Sequence, residues 1–432
     1  MSAATAPVGQ RIKTARRRRG ISQAELAHPE LSDSYVSLIE SGKRTAPPAV
    51  LELLAEKLEC SLSYLVSGVT AEQREELELG LGRARQALDG DRAAEARTRY
   101  AALLAGEAIA SLPHLRQEAE LGLADALQAC GELDEAITLL AGVRHRDAAQ
   151  MPAELYASVT CALSRCHRRQ GDLTAAVRAA EQILAGAVRP AWSEEHVRLG
   201  AELLIAYAER GDLLRGCQFR GELLAAADRL GTPAALVAAH RAAAVLAVES
   251  GHGEEALAHV ERALAAQSEL GDPSGLNRLR VACAGIALSA RPADAGRWRR
   301  LLMAARDEPA TGPAGAAEEE VDCAVNLIRA ELLLGSPEAA EGHLAAVRDQ
   351  IEHLPRDRQA EIRLLAGQTM AGLGRRREAV RELAAVAAWL REAPPTRRTT
   401  RSWLAVARIL QEVEEPGDSV AAYQRALACM GL

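Results

Sequence analysis

The stretch "CGELDEAITLL", Cys130 to Leu140, sets a pattern that the chain repeats. A glycine is followed by a polar turn and then by apolar residues three and four apart, the mark of an amphipathic helix. Further copies read "DGDRAAEARTRY" at Gly90, "QGDLTAAVRAA" at Gly171, "RGDLLRGCQFR" at Gly211 and "SGHGEEALAHV" at Gly251. Others are "ARPADAGRWRR" at Arg291, "LGSPEAAEGHL" at Gly335, "LGRRREAVREL" at Gly374 and "EPGDSVAAYQR" at Gly417. Successive turn positions lie 41, 40, 40, 40, 40, 44, 39 and 43 residues apart. Five residues past the turn stands a small residue: Ala136, Ala176, Gly216, Ala256, Gly296, Ala340, Ala379 or Ala422. The first copy has Glu95 there.

Each copy predicts two helices that turn at the glycine, and the small residue lets their axes close up. One such hairpin cannot bury its apolar face alone, so neighbours must stack. Residues 73–432 are therefore expected to form about nine hairpins wound into a solenoid. The composition agrees: of 432 residues 48% are hydrophobic but 3% aromatic, with Phe219 as the single Phe. Ala and Leu suit close helix packing, whereas sheets favour aromatic and β-branched residues. The fold class is all-α. Two segments interrupt the pattern, "RDEPATGPAGAAEEE" (306–320) and "EAPPTRR" (392–398). Both read as loops, either inert linkers or a mobile lid or contact loop.

The first 66 residues read differently. After a tail of residues 1–8, expected to be disordered, "VGQRIKTARRRRG" predicts a helix ending at Gly20, with Ile12 and Ala15 facing inward. Ser22 and Glu25 have capping-box spacing for a second helix, and "HPE" breaks it. Ser32 caps a third helix that ends near Ser41, and Gly42 is placed as its left-handed C′ residue. "PPAVLELLAEKLEC" and "SLSYL", capped by Ser61, complete five short helices over residues 9–66, with a linker at 67–72. The chain carries a net charge of −7, yet residues 1–68 hold nine Lys/Arg against seven Asp/Glu. Between Gly9 and Gly20 stand six cations and no acid, a basic segment on an acidic protein.

"RIKTARRRRGISQAELA", "SDSYVSLIESGKR" and "LELLAEKLECSLSYL" together resemble the phage-repressor-like, or Xre-type, helix-turn-helix family. The resemblance implies a third helix that enters the major groove of double-stranded DNA. Asp33, Ser34, Ser37 and Leu38 would then face base edges, and Gln23 the backbone. Tyr35 would reach a backbone oxygen or a thymine methyl. Asp33 could accept from cytosine N4 or simply stabilise the helix N-terminus. Lys43 and Arg44 would meet phosphate, with Arg17 and Arg18 of the basic helix beside them. The family also pairs a first-helix Arg with the Glu before the terminal glycine, here Arg16 with Glu40.

The repeat region resembles tetratricopeptide-repeat (TPR) arrays. A helix-turn-helix joined to one resembles the cytosolic peptide-sensing regulators of Gram-positive bacteria. That implies a homodimer and a signalling peptide, small molecule or protein partner in the groove. The repeat register places Asp125, Gln128, Arg165, Arg168, Arg169 and Glu202 on the concave lining. Arg241, Asn326, Arg329 and Gln368 continue it. Cations and amides there suit a peptide backbone or carboxylate, although a solvated helix face would look the same.

No run of eighteen apolar residues and no N-terminal apolar segment is present, which points to a cytoplasmic protein with no membrane partner. The eight cysteines are scattered. Cys161, Cys166 and His167 lack the spacing of a metal site, and no cofactor is expected. "GLGRAR" (80–85) follows no strand, and neither a P-loop nor a recognisable nucleophile occurs, so the protein reads as no enzyme. The expected function is a DNA-binding transcriptional regulator. The other reading is an interaction scaffold whose helix-turn-helix is vestigial.

Overall fold

The computed structural model describes residues 7–90, 92–147, 151–186, 191–307 and 316–430. The expected tail, apart from Pro7 and Val8, and residues 308–315 of the longer interruption lie outside these. Every regular element among the described residues is helical. The chain divides into two compact units, 1–126 and 127–432.

The first unit opens with five short helices: α1 (Val8–Arg18), α2 (Gln23–Ala27), α3 (Asp33–Glu40), α4 (Pro48–Lys57) and α5 (Leu62–Ser67). Their boundaries follow local chemistry. Ser22 and Glu25 form a reciprocal capping box, Ser32 accepts from the Tyr35 N–H, and Ser61 accepts from the Tyr64 N–H. Ile12, Leu26, Val36, Ile39, Leu54 and Leu65 make the core. Gly9 is what lets α1 lie on the end of α3. A Cβ there would stand 2.0 Å from the Ile39 carbonyl oxygen, and backbone cannot swing aside. Gly9→Ala is therefore expected to destabilise these helices by about 2 kcal/mol or more, read from the urea midpoint.

Gly68 to Thr70 turns the chain, and Thr70 caps α6 (Ala71–Asp89). The hairpins continue as α7 (Ala93–Leu104), α8 (Pro113–Cys130), α9 (Leu133–Asp147), α10 (Ala153–Gln170), α11 (Leu173–Leu184) and α12 (Glu194–Arg210). Then come α13 (Leu213–Leu230), α14 (Pro233–Glu249), α15 (Gly253–Ser268), α16 (Pro273–Ala290) and α17 (Ala295–Asp307). The last are α18 (Ala316–Leu333), α19 (Pro337–Val347), α20 (Arg356–Gly372), α21 (Arg376–Glu392), α22 (Arg397–Glu412) and α23 (Pro416–Cys429).

Turn glycines 131, 171, 211, 251, 335 and 374 all adopt the left-handed conformation, with φ from +71° to +93°. Ala136, Ala176, Ala256, Ala340 and Ala379 are fully buried, as the repeat spacing requires. Gly216 is buried too, and a Cβ on it would meet Leu246 Cδ1 at 2.8 Å. Three positions differ from the sequence register. In the first hairpin the buried small residue is Ala96, one past Glu95, and in the sixth it is Ala295, one before Gly296. The last turn is not made at Gly417, which lies inside α23, but at Glu414, a non-glycine residue with φ +58°. Glu414 stands 40 residues after Gly374, so the period holds although the glycine is missing.

A pair of imidazoles sits inside the fifth hairpin. His240 on α14 and His259 on α15 are both buried, with their Nδ1 atoms 3.0 Å apart. Two neutral rings can share one N–H···N bond there, whereas a second proton would place a cation near Arg220 and Arg262. Burial, followed by His240 and Arg220, pushes His259 down to about 4, against the opposing pull of Glu255. The unfolded chain therefore takes up the proton first, and this contribution to stability is full above about pH 6.5 and lost as pH falls toward 4. His259→Phe should lose less stability than the parent between neutral pH and mild acid, by denaturation at several pH values.

Candidate nucleic-acid interface and inner cavities

The α3 helix presents Asp33, Ser34, Ser37 and Leu38 to solvent, and its Val36 and Ile39 to the core. Position along the helix decides this, since the outer residues fall on the face opposite the apolar pair. Past the helix, Gly42 is left-handed, and the Leu38 carbonyl accepts from both the Lys43 and Arg44 N–H groups, at 2.9 and 3.2 Å. That closure fixes two exposed cations beside the outer face of α3. Arg44 does not hang free: its guanidinium lies 4.8 Å from the centre of the Tyr35 ring, a cation–π contact. Tyr35 is half-buried and so orients Arg44, a role the sequence did not suggest.

Beneath this surface lies an ionic network. The Glu40 side chain is 3% exposed and accepts from Arg16 Nε at 2.6 Å and Nη2 at 3.0 Å. Gln23 Nε2 donates at 2.7 Å to Glu40 Oε2, the oxygen that also accepts from Arg16 Nη2. Burial by itself would raise Glu40, but the bonds from Arg16 and Gln23 and the Arg16 charge hold it below its usual range. The expected Arg16–Glu40 pair is thus present, and Gln23 joins it, with its amide donor committed inward.

The six cations of the first helical segment do not act alike. Arg11 is buried and donates to the Val66 carbonyl at 2.9 Å. Arg16 is held by Glu40, and Arg19 pairs with Glu59 and donates to the Lys57 carbonyl. Arg17 and Arg18 face solvent, and Lys13 is half-buried. Lys57, by sequence an ordinary helix-end cation, closes the end of α2. Its ammonium donates to the His28 carbonyl at 2.6 Å and to the Leu26 carbonyl at 3.3 Å, and pairs with Glu30.

In the second unit the hairpin array closes on itself. Gly131 lies against Pro355, Gly171 against Pro394 and Gly211 against Arg397, so three successive turns meet the segments that lead into α20 and α22. "EAPPTRR" is therefore a contact segment, with Pro394 packed on a turn and Thr396 capping α22. Two neighbouring open clefts, of about 430 and 320 Å³, lie along this contact, and Trp389, Glu209 and Arg398 line both.

Most of the expected groove residues already have partners here. Arg165 donates to Gln128 Oε1 at 3.2 Å, and Arg169 to the Gln128 carbonyl at 3.1 Å. Glu202 is buried and accepts from Arg168, which also donates to Glu209 at 2.8 Å. Burial pushes Glu209 up, against the opposing charges of Arg168 and Arg398. Asn326 is buried: its Nδ2 donates to the Val281 carbonyl of α16 at 2.9 Å, and its Oδ1 accepts from Arg329 at 3.2 Å. Arg329 in turn pairs with Glu361 on α20. Arg241 and Gln368 are exposed. Asp125 is exposed as well, so the expected lining separates into an inter-hairpin network and three exposed side chains.

A family model described as "Helix-turn-helix" matches residues 12–65. Among solved structures, a Rap protein complexed with competence and sporulation factor aligns over 83% of this chain and 98% of its own. The identity is 12% and the TM-score 0.52. PlcR of Bacillus thuringiensis, solved with the peptide PapR7 and DNA, aligns over 61% of this chain and 95% of its own at 16% identity and TM-score 0.37. ComR from S. thermophilus, solved with DNA and its signalling peptide ComS, aligns over 74% and 99% at 13% identity and TM-score 0.25. No curated protein matches. The Rap likeness shows a shared helical-repeat fold, and residues 12–65 are a helix-turn-helix domain.

Proposed function

We propose that this protein is a sequence-specific, DNA-binding transcriptional regulator whose hairpin array receives a signal. The observation that carries the reading is the outer face of α3. Short polar side chains at the N-terminal half of a helix, two cations fixed just past its end and a rigid ionic network beneath are what a major-groove reader needs. Ser34 and Ser37 are read as base-contacting residues, with Asp33 and Leu38 beside them. Lys43, Arg44, Arg17 and Arg18 are read as phosphate contacts. Gln23 and Tyr35 contribute by holding Glu40 and Arg44 in place.

One head offers few base contacts, so the reading includes a homodimer placing two heads on a pseudo-palindromic site. The second unit supplies the sensor, taking a peptide, small molecule or protein. No helix among the described residues is long and apolar enough to cross a membrane, which fits a cytoplasmic regulator. Titration of a labelled duplex with the full chain over a range of salt tests the first part of this. Binding should weaken linearly on a log–log plot of affinity against salt, with two chains per specific duplex. Absence of duplex binding even at low salt would defeat it.

A further inference from the structure

The seam where the array closes is built unlike the rest of the second unit. Neighbouring hairpins share continuous apolar cores of alanine, leucine and valine. Across the seam, no buried apolar cluster among the described residues joins the hairpins of α8 to α14 with α20 or α22. The two banks meet through bare backbone and charge instead. Gly131, Gly171 and Gly211 face Pro355, Pro394 and Arg397, and the fit is closest at Gly171, where a Cβ would stand 2.3 Å from Pro394 Cγ. At the fourth turn of this series Glu249, the last residue of α14, is gripped through both carboxylate oxygens by the Arg401 guanidinium of α22. These two residues are 152 positions apart, so the contact ties the fifth hairpin to the ninth. Arg397, one turn earlier on α22, leans on the same carboxylate at 3.7 Å.

The charges along the seam sort by bank. Glu209 and Glu249 stand at the ends of α12 and α14, whereas Arg397, Arg398 and Arg401 stand in the opening turns of α22. Three cations at a helix N-terminus run against its macrodipole, so the opposite bank is what steadies them. The smaller cleft, of about 320 Å³, is lined by Val245 from one bank and by Leu364, Val386 and Trp389 from the other. Parting the banks therefore exposes little apolar surface that is now buried, and a partly exposed ion pair contributes little by itself.

We propose that this seam is a latch. The array opens between the turns that follow α8, α10, α12 and α14 and the N-terminal ends of α20 and α22, and the pairing of Glu249 with Arg401 sets the balance between closed and open forms. Each bank keeps its own apolar core on opening, so the two move as bodies and the helices persist. Inference and sensor reading are linked: the latch is the element of the second unit whose state a signal shifts and the DNA-binding helices report.

Small-angle X-ray scattering of the full chain, with circular dichroism alongside, tests it. Glu249→Arg sets like charges against Arg397 and Arg401. It should lengthen the maximum dimension by about one helix diameter, 10 Å, with helix content unchanged. Adding Arg397→Glu and Arg401→Glu restores the attraction with the signs exchanged and should return the parent profile, which a damaged fold cannot do. An unchanged profile in Glu249→Arg, a loss of helix content, or no return in the triple variant would each overturn the proposal. Duplex binding is scored on the same proteins. Glu249→Arg should change duplex affinity by about fivefold or more. Equal affinity in parent and Glu249→Arg overturns the latch as a signalling element and leaves the regulator reading standing. Opening in Glu249→Arg, with no duplex bound by any of the proteins, overturns the regulator reading alone.

Discussion

Glu40→Ala will unfold the DNA-binding helices while the hairpins of the second unit stay folded. The Glu40 carboxylate is buried, and three donors converge on it from Arg16 and Gln23. Removing it leaves the Arg16 guanidinium, itself 12% exposed, without its counter-charge, and strands the Gln23 amide. Breaking one side of a buried pair costs about 3 kcal/mol or more, a large part of what a small helical unit possesses. Glu40→Gln should cost less, since an amide oxygen can still accept. The readout is hydrogen exchange on the full chain, resolved by peptide. Segments from α1 to α5 should exchange fast in Glu40→Ala, and segments from α12 to α15 at the parent rate. The parent should show a milder form of the same loss in acid. Glu40 is held below its unfolded value, so its contribution is present above about pH 4.5 and is lost as pH falls through the folded value.

The double variant Lys43→Ala, Arg44→Ala will lose affinity for every duplex by a similar factor. Both side chains are exposed and fixed beside α3 by the Leu38 carbonyl, and Tyr35 holds the Arg44 guanidinium. If each neutralises one phosphate, the slope of log affinity against log salt becomes shallower by about 1.8 units. At about 0.15 M salt that amounts to roughly thirtyfold weaker binding, shrinking as salt rises. Tyr35→Leu should reproduce part of the loss without changing the charge. An unchanged slope in the double variant would show that these cations point away from the nucleic acid.

Much of this surface was legible in the sequence because the signals are local. Caps at Ser22, Ser32 and Ser61 act over three residues, and the left-handed glycines act at a single position. The 40-residue period carried the hairpin array even where Glu414 replaces a glycine. Pairing over distance was legible only where the family resemblance supplied it, as for Arg16 with Glu40. Nothing near Arg11 or Arg19 shows that one would be buried against Val66 and the other tied to Glu59. Lys57 looks like an ordinary helix-end cation until α2 is packed beside it. The repeat register puts the groove residues on the inner face, but their partners come from neighbouring hairpins. Asn326 therefore looked available when it is bonded to Val281. Ring closure was the least visible feature, because Glu249 and Arg401 belong to copies of one repeat and no local pattern distinguishes copies that meet.

The central claim is that α3 reads a base sequence. Selection of the full chain against a pool of randomised duplexes at moderate salt, sequenced after several rounds, tests it most directly. The account predicts enrichment of two inverted half-sites, with the preference shifting at one position per half-site in Ser37→Ala. Recovery of an unenriched pool by the folded protein would contradict it, as would an enriched site that Ser34 and Ser37 substitutions leave unchanged.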